Sequence, residues 1–146
     1  MGYYSEVTVE FYIEGLAPKD IYAKIKYDLK NDFGVLLYDL FDRVAFTHNA
    51  VILTAESVKW YETYKEVASF HKYISELGDH MDYDNDEVDE DDFNHIEGYI
   101  HFIRIGENYD DIEDYGWGNY WDSEIHVERY IEYDYVNEEP IEEDKD

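Results

Sequence analysis

An α+β fold is what this sequence predicts, with an antiparallel or mixed sheet of about five strands and two helices packed on one face. Three observations carry that expectation. Apolar residues alternate with polar ones along Tyr3 to Ile13 and again along Glu124 to Asp134, the period of strands. Two other stretches place their apolar residues at helical spacing. The order that results is strand, helix, strand pair, helix, strand pair, and helices on one side of a sheet are the simplest layered solution for it.

Each element has its own justification. In Tyr3 to Ile13, Val7, Val9, Phe11 and Ile13 share one face and Glu6, Thr8, Glu10 and Tyr12 the other, the pattern of a half-exposed strand. Gly15 and Pro18 break it and open a helix from Pro18 to Asn31, where Ile21, Ile25 and Leu29 form one stripe and Lys19, Lys24, Lys26 and Lys30 lie off it. Asn31 to Gly34 ends that helix. Val35 to Phe41 fits a short helix or a strand equally well. Arg43 to His48 and Ala50 to Tyr61 read as a hairpin turning at His48 and Asn49, with a bulge near Ser57 where the apolar phase slips.

Thr63 and Glu66 have the spacing of a capping box, in which hydroxyl and carboxylate each satisfy an orphaned backbone donor. The helix that follows buries Val67, Phe70, Ile74 and Leu77 and meets a left-handed stop at Gly78. Gly98 to Ile105 is apolar on both sides, as a mid-sheet strand is. Gly106 to Ser123 reads as an acidic aromatic loop, and Glu124 to Asp134 as a return strand with Glu124, Glu128, Glu132 and Asp134 along one side. Residues 1–134 thus read as a single domain with an acidic loop at 79–97, and residues 135–146 as an acidic, fraying tail.

Charge is the dominant compositional fact. The formal net charge is −27 across 146 residues, yet 45% are hydrophobic and 18% aromatic, which is a folding composition and not that of a disordered acidic chain. Residues 1–72 hold 11 carboxylates against 8 Lys and Arg, whereas residues 73–146 hold 27 against 3. A strongly negative side follows, and it excludes direct binding to nucleic acid phosphates or to an anionic membrane. With no cysteine there is no disulfide or thiolate chemistry, in keeping with a reducing compartment. No signal peptide or apolar spanning run is visible, and Glu6 stands where a myristoylation signal needs Ser or Thr.

Catalytic and metal motifs are weak. Asp82, Asp84 and Asp86 begin like a calcium loop, but Glu87 replaces the turn glycine and Phe93 the bidentate glutamate. His95, His101 and His126 lie near Glu97 and Glu128, and His101 with His126 could face each other across a strand pair. Six histidines among 38 carboxylates produce such neighbours by chance, so no metal or other cofactor is expected. There is no nucleophile elbow, phosphate loop or HExxH helix, and no catalytic residue is assigned. What remains is carboxylates interleaved with Tyr109, Tyr115, Trp117, Tyr120 and Trp121. Tyr and Trp anchor protein interfaces, and carboxylates two apart on a strand recur at about 6 to 7 Å, close to the phosphate repeat of one DNA strand.

The segments MGYYSEV (Met1 to Val7), VKWYE (Val58 to Glu62), FIRIGENYDDIEDYG (Phe102 to Gly116) and HVERYI (His126 to Ile131) resemble a group of small acidic proteins of unassigned function encoded by tailed bacteriophages. IRIGE with the trailing DIE is the specific part. The resemblance implies a phage accessory protein in the bacterial host cytoplasm. It carries no known active site, so no residue role comes with it. Small acidic phage proteins often inhibit host nucleic-acid-binding machinery, which points to a non-enzymatic DNA mimic acting on a basic restriction, CRISPR or nuclease protein. The partner-binding residues expected on this reading are Asp82, Asp84, Asp86, Glu87, Asp89, Glu90, Asp91, Asp92, Asp110, Asp111, Glu113 and Asp114, with Trp117 and Trp121 as anchors. The alternatives are a self-associating phage assembly module and a metal-dependent enzyme using His101 and His126.

Overall fold

The computed structural model describes residues 2–82, 95–127 and 131–142. Its elements are β1 (Ser5–Ile13), α1 (Pro18–Asp28), β2 (Arg43–Phe46), β3 (Val51–Val58), α2 (Lys65–Asp79), β4 (Gly98–Gly106), β5 (Ile112–Gly118), β6 (His126–Val127), β7 (Ile131–Glu132) and β8 (Asn137–Pro140). Six strands form one antiparallel sheet in the order β5-β4-β1-β3-β2-β8, and β6 pairs with β7 as a separate ribbon. The architecture is α+β, with both helices on one face of the sheet.

That face holds the main core. Val7, Val9 and Phe11 of β1, Val51 and Leu53 of β3, and Ile100 and Phe102 of β4 meet Ile21 and Ile25 of α1 and Phe70 and Ile74 of α2, and all are fully buried. Each such side chain contributes about 1.5–3 kcal/mol relative to exposure. Phe41, Trp60 and Phe70 pack edge to face, with centroids 5.1 Å and 5.8 Å from Phe70. The opposite face is thinner. Among the described residues, Ala45, Ile52, Ile103 and Ile105 are covered there by Ile125 and Ile131, with Val127 and Tyr133 at the margin.

The hairpin turn at His48 and Asn49 is observed, held by Thr47 Oγ1, which accepts from the Ala50 N–H at 2.8 Å. So is the bulge, since Ser5 pairs with Val58 while Val7 pairs with Ala55. The first helix runs on through a π-type turn, Leu29–Phe33, and stops at Gly34, whose φ of 69° only glycine adopts without strain. Val35 to Phe41 resolves into a single 3₁₀ turn, Leu37–Asp39.

Other expectations are corrected. The capping box at Thr63 does not form, because α2 starts at Lys65 with Tyr64 as an uncapped N-cap. Gly78 is not a left-handed stop but lies within α2, where the Trp117 ring comes so close that a Cβ would sit 2.3 Å from it. The loop at 106–123 contains β5, the sheet's edge strand. The return strand is instead a ribbon, β6 and β7, lying outside the main sheet, with residues 128–130 outside the described set. Nor does the tail fray throughout, for β8 pairs with β2 as a sixth strand and Ile141 is buried in the helix-side core. Finally, β1 is not half-exposed, since Thr8 and Glu10 are both buried.

Candidate functional site

Residues 105–142 carry thirteen carboxylates against a single cation, Arg129. The described ones sit on the β4–β5 turn, on β5, on the covering segment with its ribbon, and on and just after β8, which places them at both sheet edges and over the face away from the helices. The helices instead carry Lys19, Lys24, Lys26, Lys65 and Lys72 balanced by Asp20, Asp28, Glu66, Glu76 and Asp79. The two layers therefore differ sharply in charge.

The acidic turn after β4 is firmly built. Gly106 N–H donates to the Asp111 carbonyl at 2.8 Å, Tyr3 Oη donates to Asp111 Oδ2 at 2.6 Å, and Tyr4 N–H donates to Glu107 Oε1 at 2.9 Å. Arg104, which has little exposure, reaches Asp111 Oδ1 at 2.6 Å and Glu113 Oε1 at 2.6 Å and donates to Ser5 Oγ at 3.0 Å. Its guanidinium holds the Asp111 carboxyl below the usual carboxylate range.

This changes which expected site residues stay available. Asp111 and Glu113 answer Arg104, and Asp114 answers His101, so Asp110 alone of that cluster has no such internal partner among the described residues. Asp82 accepts the Gly118 N–H at 2.6 Å and so ties the end of α2 to β5. Asp84, Asp86, Glu87, Asp89, Glu90, Asp91 and Asp92 lie outside the described residues, as do Phe93 and Glu128. Trp117 packs against the helix-side core beside Tyr115, centroids 5.5 Å apart, whereas Trp121 is 71% exposed on the 3₁₀ turn Tyr120–Asp122. His101 and His126 do not face each other. His126 stands opposite Glu132 in the ribbon, and among the described residues no three His, Asp or Glu gather as a metal site.

A buried polar cluster under the cover was not foreseen. Glu10 and His101 are register partners on β1 and β4, at 0% and 6% exposure. Glu10 accepts from Tyr99 Oη and from the Glu124 N–H at 3.0 Å, with the Ile125 N–H adding to them. Burial pushes its carboxyl up to about 7, against a usual 4.5, and outweighs those donors. His101 Nε2 lies 2.5 Å from Asp114 Oδ1 and Nδ1 lies 2.5 Å from Ser123 Oγ. Because a carboxylate only accepts, Nε2 carries the proton and Nδ1 accepts from the Ser123 hydroxyl. Tyr120 lies over the imidazole, centroids 5.1 Å apart.

Ser123, His101 and Asp114 thus contain the parts of a nucleophile, a base and an orienting acid. Acyl transfer also needs donors for the developing oxyanion. The nearby amides are spent: Gly118 N–H on Asp82, Asp122 N–H on the Asn119 carbonyl, Ser123 N–H on the Tyr120 carbonyl and Glu124 N–H on Glu10. Asp114 is 43% exposed, and water competes for it. These bonds, with that of Glu10, fasten the covering segment to β1, β4 and β5. The one sequence signal for this cluster was a glutamate set between Val9 and Phe11 in a strongly apolar strand.

The fold and this arrangement define an α+β protein with a charge-balanced helix layer and an acidic cover pinned by buried polar groups. No family model, no characterised sequence and no solved structure matches the chain. Among the described residues no helix is long and apolar enough to cross a membrane.

Proposed function

We propose that this chain is a non-enzymatic binding protein whose acidic cover and edges occupy the nucleic-acid groove of a basic host protein, such as a restriction enzyme, CRISPR effector or nuclease. The observation that supports it most is the excess of thirteen carboxylates over one Arg in residues 105–142, twelve of the carboxylates lying on strands, turns and connecting segments of the described residues. Ordered carboxylates keep their spacing when a partner's Lys and Arg arrive, so less freedom is lost on binding than with a loose acidic tail. The contact set that fits is Asp110, Asp122 and Glu124, with Trp121 as anchor and the 82–92 run as a further candidate. A phage accessory role in the bacterial cytoplasm is the context in which such a mimic acts.

The test is affinity capture from bacterial lysate followed by binding measurements on the captured basic protein, with duplex DNA as competitor. Combining Asp110→Asn, Asp122→Asn, Glu124→Gln and Trp121→Ala is expected to weaken binding about 100-fold at low salt, mainly through slower association for the charges and faster dissociation for the tryptophan. DNA should displace the protein, and rising salt should slow its association. Binding that survives the four changes, or that DNA leaves untouched, would remove the mimicry reading. The alternative of a self-associating assembly module draws on exposed Trp121 beside the β5 edge. A stable homo-oligomer in sedimentation that buries Trp121 would favour it.

A further inference from the structure

We infer that buried Glu10, with His101 fastened opposite it on the next strand, forms a proton-operated latch that holds residues 119–125, and with them Trp121 and the acidic cover, against the sheet. The inference supplies the regulation of the binding surface and rests on that reading only for its purpose.

The geometry is specific. Two ionisable side chains that pair directly across β1 and β4 grip two consecutive residues of one covering segment, His101 through the Ser123 hydroxyl and Glu10 through the Glu124 amide. Among the described residues, apolar support for the cover is small, resting on Ile125 and Ile131 with Val127 and Tyr133 beside them. A segment with so little apolar attachment depends on its polar fastenings, and so on their protonation.

The groups facing Glu10 set the sign. From β4 come Tyr99 and His101, and from the cover Glu124; Asp122 acts on Tyr99, and Asp114 of β5 lies beyond the imidazole. On β3 its register partner is Ile52, which does not titrate. Among the described residues no Lys or Arg forms an ion pair with Glu10. A neutral Glu10 needs no counter-charge here, and its carbonyl oxygen still accepts from the Glu124 N–H. Loss of that proton to solvent leaves a desolvated anion beside Glu124, and lifting the cover lets water reach it. Docking therefore tightens as pH falls and loosens as pH rises toward about 7. With a closed-state value of about 7 and an open-state value of 4.5, opening becomes about tenfold more favourable per pH unit in between.

Amide hydrogen exchange on the full chain tests this directly. Protection factors of the Glu124 and Ile125 amides, corrected for intrinsic rates, are expected to fall about 40-fold from pH 5 to pH 7 in the wild type and to stay level in Glu10→Gln. Ser123→Ala, which removes only the imidazole fastening, should lower protection equally at every pH. A flat wild-type profile overturns the latch, and so does a Glu10→Gln slope equal to the wild type's. If Glu10→Gln does not fold, Tyr99→Phe replaces it. Losing a donor that favours the ionised form should move the midpoint upward, and an unmoved midpoint overturns the latch. Since no partner enters these measurements, their failure leaves the binding proposal standing, and failed capture leaves the latch standing.

Discussion

The two faces of the central sheet are built on different terms. On the helix side, β1, β3 and β4 present large apolar side chains to two helices, and water is excluded by bulk. On the cover side the same three strands present Thr8, Glu10, Thr54 and His101 among a few isoleucines, under a short turn and a two-stranded ribbon. Apolar packing is non-directional and additive, whereas buried hydrogen bonds fix direction and become costly when a partner is lost. The helix side therefore sets whether the chain folds, and the cover side sets where its acidic surface points.

The largest expected effect tests that division. Phe70→Ala, in the middle of the helix-side core, should cost about 3–5 kcal/mol, with the whole denaturation curve displaced. Ile125→Ala should cost about 2 kcal/mol, at the low end for such a truncation, because the cover can settle or lift. It should also lower exchange protection chiefly in residues 119–127. Equal global losses for the two would mean that the cover belongs to the cooperative core and that the contrast fails.

A smaller effect sharpens the helix side. Gly78→Ala, which would ordinarily favour a helix, here drives a methyl into the Trp117 ring and should cost about 1–3 kcal/mol. In a Trp117→Ala background the same change should become neutral or stabilising, a coupling that thermal denaturation of the four proteins measures. The smallest effect belongs to the cover side. Thr8 Oγ1 is buried with no hydrogen-bond partner among the described residues, so Thr8→Val should raise stability by about 1 kcal/mol in urea titration. A loss instead would mean that the hydroxyl is satisfied in solution, for example by a trapped water.

Much of the helix side was legible because apolar periodicity reports burial against another apolar surface. The stripes of α1 and α2, the mid-sheet position of β4, the turn at His48 and the bulge near Ser57 all follow from it. The cover side was not, because its burial is of polar residues. Alternation assigns Thr8 and Glu10 to solvent, and only residues 123–125, more than a hundred positions later, reveal that they are covered. The capping box failed for a similar reason: the Thr63 spacing is right, but the chain enters α2 two residues later, from Tyr64. Of the acidic candidates, sequence could count carboxylates but could not tell that Arg104 claims Asp111 and Glu113 and His101 claims Asp114, since those pairings depend on the β4–β5 register.

The sixth strand has a consequence for how the molecule is made. β2 is extruded early, yet its outer hydrogen-bonding groups wait for Asn137–Pro140, nearly a hundred residues later. During synthesis that border stands open for pairing with any extended chain nearby. Once β8 arrives, it ends the sheet with Glu138, Glu139 and Pro140, two charges and a residue without an amide hydrogen, which discourage a further strand from adding. A nascent chain stalled before that point would keep both helices and most of its core while offering neighbouring copies a sticky margin.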